Sequence, residues 1–184
     1  MQIYLLLLQL NLGMTHHETL PDGSLLLTED SCGYAMALIL NAHIVTAGHV
    51  ASGSPTYHTP HLDQMTNIPL QLIAGRDLAI SPVKTVSPGF EKIAPPSLDQ
   101  RLTIVGFHGF EHVPFEIKVR VIGIQPNGKV IAEWLSGTDA QVGMSGSPAI
   151  TDQDEVVGIL VSGVEDTNGK QLVIESVSNL ESIF

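Results

Sequence analysis

The feature that most constrains this 184-residue chain is a train of short apolar runs, each cut off by turn residues. "SLLLTE", "GYAMALIL", "HIVTAG", "LQLIAG", "DLAISPVK", "LTIVGF", "FEIKVRVIGI", "KVIAEWL", "SPAI", "VVGILVSG" and "QLVIESV" follow one another at the spacing of sandwich or barrel strands. Asn127-Gly128 and Asn168-Gly169 fall between such runs, and Asn-Gly is the strongest short-range hairpin signal. Between the runs nothing of helical length carries helical periodicity, and only "SNLESIF" at the C-terminal end reads as a short helix. The chain is expected to be all-β.

The richest break, "SPGFEKIAPPSLD" from Ser87 to Asp99, holds Pro88, Pro95 and Pro96 in a polar stretch and divides the chain almost in half. Two small β units joined there are the expected organisation, 1–92 and 93–184. At the N-terminus the run Ile3 to Leu8 has the look of a signal-peptide core. It has no Lys or Arg ahead of it and no small-residue cleavage site, and it is too short to span a bilayer as a helix, so a buried first strand is expected. Eight Lys plus Arg against nineteen Asp plus Glu give a formal charge of −11, which repels phosphate backbones and anionic membrane surfaces. Neither nucleic acid nor membrane is expected as a partner, whereas a cationic substrate would be drawn in. The single cysteine, Cys32, forbids an intrachain disulfide, so the fold does not depend on an oxidising compartment. That leans towards an intracellular or viral setting and leaves localisation and oligomeric state open.

Residues 139–150 read "DAQVGMSGSPAI". Taken alone, Ser145 is either a nucleophile or part of a tight turn, since Gly, Ser and Pro are the commonest turn residues. A serine hydroxyl is a poor nucleophile at neutral pH. It needs an adjacent base, usually His, and that base needs a carboxylate to fix its tautomer. The first half offers "IVTAGHV" with His49 and "GRDLAISPV" with Asp77.

At these residues the chain resembles the chymotrypsin/trypsin-like serine proteases. "TAGHV" is similar to the family's Thr-Ala-Ala-His segment, "DLAI" to its Asp-Ile/Leu-Ala-Leu segment, and "GMSGSP" to its Gly-Asp-Ser-Gly-Gly-Pro, in the family's order. "LTIVGFHGF", "SPAITDQDEVVGILVSG" and "QLVIESVSNLESIF" extend the likeness over roughly residues 24 to 184, in the style of the compact, disulfide-free bacterial and viral members. The resemblance implies two antiparallel β-barrels packed together, a short C-terminal helix, and an active site in the cleft between them. It implies that Ser145 attacks the scissile carbonyl, His49 is the general base, Asp77 orients His49, and the amides of Gly143 and Ser145 form the oxyanion hole. Val161, Ser162 and Gly163 would pair with an extended protein or peptide substrate by strand addition. No cofactor is implied.

Some positions depart from the family. Met144 replaces the Asp that receives a newly cut N-terminal ammonium, so activation of that kind is not expected, and chain trimmed to about Leu20 is expected to cleave as the full chain does, provided both fold. Val161 replaces the serine that bonds the triad aspartate, and Ser162 stands where many relatives have an aromatic residue. Asp139, six places before Ser145, matches the pocket-base position at which an aspartate selects Arg or Lys before the scissile bond; the other reading is a solvated loop carboxylate. Glu or Gln selectivity is disfavoured by Ala140 and Ile159.

Other constellations carry less. "HGFEH", His108 to His112, fits an inverted zinc-peptidase pattern but lacks the helix that chemistry needs, and Gly109 and Pro114 argue for a loop. His58, His61 and Asp63 would be a metal site or a solvated loop; His16 and His17 read as surface residues and Cys32 as a small buried one. The second functional reading is a catalytically silent relative that binds peptides in the same cleft.

Overall fold

The computed structural model describes residues 5–9, 15–19, 25–29, 35–51, 56–58, 70–82, 84, 89–108 and 113–184. Cys32, His61, Asp63 and residues 109–112, and hence the metal-site readings built on them, lie outside the described residues.

The first part of the chain forms β1 (Leu5–Gln9), β2 (Thr15–Thr19), β3 (Leu25–Glu29), β4 (Ala35–Leu40), β5 (His43–Thr46), β6 (Thr56–His58), β7 (Gln71–Leu72) and β8 (Ala79–Ile80). Six of them make one sheet in the order β6-β1-β4-β5-β8-β7, while β2 and β3 pair with each other as a separate hairpin. The expected first strand is therefore present, and it is interior: β1 pairs with β4 on one side and β6 on the other. Chain trimmed to Leu20 would lack that strand, and comparable cleavage is expected only of a trimmed chain that folds. All six β4 residues are buried, which an unbroken apolar run such as "AMALIL" requires on both faces. β4 turns into β5 through Asn41 and Ala42, both at positive φ, in the two-residue hairpin that such angles permit.

The rest of the chain supplies β9 (Arg101–His108), β10 (Val113–Ile124), β11 (Lys129–Gly137), β12 (Pro148–Ile150), β13 (Val156–Gly163) and β14 (Gln171–Ser176). These close into a barrel in the order β10-β11-β14-β13-β12-β9. β10 alternates cleanly, with Phe115, Ile117, Val119 and Val121 inward and Glu116, Lys118 and Arg120 outward. Both Asn-Gly signals are turns. Gly128 at φ +86° ends the β10–β11 turn, and Asn168 and Gly169, both at positive φ, turn β13 into β14 with Lys170 N donating to Thr167 O at 3.0 Å. The C-terminal helix is a 3-10 helix, Ser178–Ser182.

Two apolar clusters follow from this arrangement. One fills the barrel. The other joins the first sheet to the barrel's outer wall: Leu38, Leu40, Ile44 and Leu78 pack with Val105, Ile159, Val161 and Leu180. Because the sheet covers that wall, the first six residues of β13 are all buried, unlike the alternating β10. The expected all-β, chymotrypsin-like class is therefore the observed one, with a closed barrel packed on a second sheet.

Candidate active site

His49 lies on α1 (Gly48–Ala51), a single helical turn directly after β5. Val50 N and Ala51 N both donate to Ala47 O, so the chain leaves the sheet as a tight coil and lifts the imidazole out of it. Asp77 follows the turn between β7 and β8, which is closed by Arg76 N on Ile73 O at 3.1 Å. β8 pairs with β5, Thr46 opposite Ala79, and this register brings Asp77 beside His49. Two 2.8 Å contacts join them: Asp77 Oδ2 to His49 Nδ1, and Asp77 Oδ1 accepting the His49 amide. An added Cβ on Gly48 would press on Asp77 Oδ1 and Leu78 N, which explains glycine immediately before this histidine.

The His49 side chain is 49% exposed and that of Asp77 29%. Burial by itself raises the Asp77 carboxyl, but the hydrogen bonds from the His49 ring and amide, the His49 charge and the Gly48 amide outweigh it and hold the group below its ordinary value. An ionised Asp77 at Nδ1 fixes the neutral ring with its proton there and its lone pair on Nε2.

Ser145 sits in the loop between β11 and β12. Gly143 at φ +96° and Gly146 at φ +91° frame it, angles that residues with a Cβ rarely adopt. Gly146 is further constrained by a close approach, because an added Cβ would overlap the Met36 carbonyl. Ser145 O accepts Met36 N at 2.8 Å, so the serine's own carbonyl is bonded to β4 of the other sheet. Behind the serine, Gly146 N donates to Leu160 O and Leu160 N to Ser147 O, each at 2.8 Å, which ties the loop into the barrel. Met144, Gly146 and Ser147 spend their amides on backbone carbonyls; among the described residues the Gly143 and Ser145 amides donate to none. Met144 is fully buried, its sulfur accepting Gln141 N at 3.3 Å, so no carboxylate is available there for an incoming ammonium.

The β13–β14 register slips between Leu160 and Ser162, leaving Val161 unpaired in the ladder, and its carbonyl accepts the Ser145 hydroxyl at 3.4 Å. His49, Gly143, Ser145, Val161, Ser162 and Gly163 line one cleft of about 440 Å³, with Ala140, Gln141, Val142, Leu160, Gly169 and Leu172. Residues far apart in sequence are thus brought together. Asp139 is not: it is outside the lining, its side chain 78% exposed, with Lys170 Nζ 3.9 Å away. Lys170 in turn lies over the Trp134 ring at 3.6 Å. A larger hollow, about 550 Å³, lies on the barrel wall among Arg101, Lys118, Asp152 and Glu155, and shares no residue with this cleft.

Sequence reasoning did not find the ion pair between Arg76 and Glu175 that crosses from the Asp77 turn to β14. Period-two alternation with Leu172 and Ile174 inward assigns Glu175 to the outer face; it is nonetheless fully buried because the first sheet covers that wall. The only trace in the sequence is a lone glutamate inside the apolar run "QLVIESV".

Solved structures share the fold at low identity. The catalytically inactive tobacco etch virus protease complexed with substrate is 16% identical over 94% of this chain and 77% of that one, with a TM-score of 0.62. The active form of the M. tuberculosis protease Rv3671c is 15% identical over 97% and 78%, with a TM-score of 0.63. The MamO protease domain from Magnetospirillum magneticum is 16% identical over 82% and 87%, with a TM-score of 0.59. No curated protein sequence matches the chain. The family model for the trypsin-like peptidase domain matches residues 34–159, which include His49, Asp77 and Ser145. The chain therefore belongs to the trypsin-like peptidase domain family, and peptidase is its functional class.

Proposed function

We propose that the protein is a serine endopeptidase whose triad is Ser145, His49 and Asp77. One observation carries the reading: the Asp77 carboxylate is doubly bonded to His49, and His49 and Ser145 line the same cleft. Residue 145 is a serine, so the nucleophile is a hydroxyl that needs the base beside it. In this reading His49 Nε2 takes the Ser145 proton as Oγ attacks the scissile carbonyl. The oxyanion is received by the amides of Gly143 and Ser145, and the proton then passes to the leaving amine. Water, activated by the same imidazole, hydrolyses the acyl-enzyme and regenerates Ser145. The Val161 carbonyl and the exposed backbone at Ser162 and Gly163 suit an extended peptide added along β13. Residues 1–92 supply the base and its carboxylate, and residues 93–184 the nucleophile and most of the cleft.

The preference before the scissile bond depends on what lines the cleft. Selection of Arg or Lys by Asp139 needs that carboxylate inside, whereas its exposure and its nearness to Lys170 favour the solvated-loop reading. Apart from His49, the lining side chains are uncharged, which suits a small or apolar residue.

A fluorophosphonate probe together with peptide hydrolysis tests the assignment. Ser145 should be the labelled residue, and Ser145→Ala should fold, lose labelling and lose turnover by about 10⁶. Retention of more than about a tenth of wild-type turnover by Ser145→Ala sinks the nucleophile. A folded wild-type chain that neither labels nor cleaves indicates the silent peptide-binding relative instead.

A further inference from the structure

We propose that Arg76 is a positioning residue for Asp77, pinning the turn that carries this carboxylate to the barrel that carries Ser145. The proposal rests on the role given to Asp77 above.

Arg76 directly precedes Asp77, yet its side chain leaves the first sheet altogether. Nε donates to Glu175 Oε1 and Nη2 donates to the Ser176 carbonyl at 2.6 Å, both on β14. The Arg76 side chain is 11% exposed and that of Glu175 0%. The β10–β11 turn is shaped around it, since an added Cβ on Gly128 would overlap the guanidinium. Three barrel groups therefore fix one side chain of the Asp77 turn. On the other side of the same short stretch, Asp77 grips His49 through two bonds. A continuous chain of contacts runs from Glu175 through Arg76 and Asp77 to His49.

A buried ion pair is a poor stabiliser, because removing two charges from water offsets most of their attraction. Here the cost is higher still, since Glu175 Oε2 has no hydrogen-bond partner among the described residues. What the pair supplies is direction. A guanidinium held by two of its donors has one orientation, and the backbone that bears it has one position.

The experiment separates position from stability by replacing both partners with apolar residues, Arg76→Met with Glu175→Leu, which removes the buried charges together. Arg76→Lys, which keeps the charge and loses the fork, is the second variant. Each is measured in the full chain for thermal midpoint, for kcat and KM per titrated active site, and for the low-field NMR signal of the His49 Nδ1 proton. If Arg76 positions Asp77, the double variant melts at or above the wild-type temperature. Its kcat falls by between about tenfold and a hundredfold, as a misplacement on the order of 1 Å does, with KM little changed. The low-field signal broadens or moves in both variants. An apolar pair with wild-type kcat and an unmoved His49 signal overturns the proposal and leaves Arg76 a structural tie. If the double variant does not fold, Arg76→Lys decides by the same two readouts. The NMR signal needs no turnover, so a chain without peptidase activity would refute the triad reading while this inference is still judged on its own.

Discussion

Ser145 stands on a loop of a barrel whose six strands close on themselves, while His49 and Asp77 hang from a six-stranded sheet that runs out, among the described residues, at the short edge strands β6 and β7. The barrel completes its own ladder, and its inner face packs as one cluster. The sheet borrows its packing: the cluster behind β4, β5 and β8 includes Val105, Ile159, Val161 and Leu180 from the barrel and its C-terminal turn. The difference teaches that the two parts of the site are not equally self-sufficient. Ser145 stands on a closed frame, whereas His49 and Asp77 keep their places only while the sheet is held against that frame.

The largest effect that would break this contrast is removal of β1. Deleting residues 1–10 takes an interior strand from between β4 and β6, and it should abolish activity and unfold the sheet. Hydrogen exchange on the deletion variant should show protection surviving in β9 to β14 and lost around β4 and β5; uniform loss would mean that the barrel is no more independent than the sheet.

Next in size is Asp77→Asn, which keeps the shape but permits the wrong imidazole tautomer, and should lower kcat by about 10⁴ with KM nearly unchanged. It also has a pH signature. Because the folded protein holds the Asp77 carboxyl below its ordinary value, ionisation of this group favours folding. That contribution is fully present above the ordinary carboxylate pKa of about 3.9 and is lost as pH falls through the lower folded value. The stability gap between wild type and Asp77→Asn, followed by denaturant titration, should therefore be open at neutral pH and close in acid. A gap independent of pH would contradict the hydrogen-bonding assigned to Asp77.

Gly146→Ala probes the seam itself. A methyl group at φ +91° that also overlaps the Met36 carbonyl should cost about 3 kcal/mol or more and should loosen the Ser145 loop from β4. A thermal midpoint equal to that of wild type would show that the two parts tolerate separation. The smallest effect is expected at Asp139. Exposed and beside Lys170, Asp139→Asn should change the ranking of Arg, Lys, Leu and Phe peptides by less than about twofold, in keeping with the small worth of an exposed charge pair. A collapse of Arg and Lys cleavage would restore the basic-pocket reading.

Much of this was legible in the chain because the barrel strands obey simple rules. β10 alternates, both Asn-Gly pairs turn, and the His49, Asp77 and Ser145 motifs keep their residues and order. What escaped the sequence lies where one sheet covers the other. Glu175 follows its strand's alternation outward and is buried there, because a second layer stands over that wall. The β4–β5 hairpin turns on Asn41 and Ala42, and alanine at positive φ is a conformation no turn signal announces. Asp139 matched a pocket position by counting residues, but counting does not say which way a loop between β11 and Ser145 folds.

The order of strands in the barrel also bears on when the protein can act. β14, made after every other barrel strand, does not sit at an end of the ring; it inserts between β11 and β13. A chain emerging from the ribosome therefore carries His49, Asp77 and Ser145 before it owns the strand that closes the ring bearing Ser145. Until β14 is made, β11 and β13 are open edges, and the loop that carries Ser145 hangs on an unfinished frame.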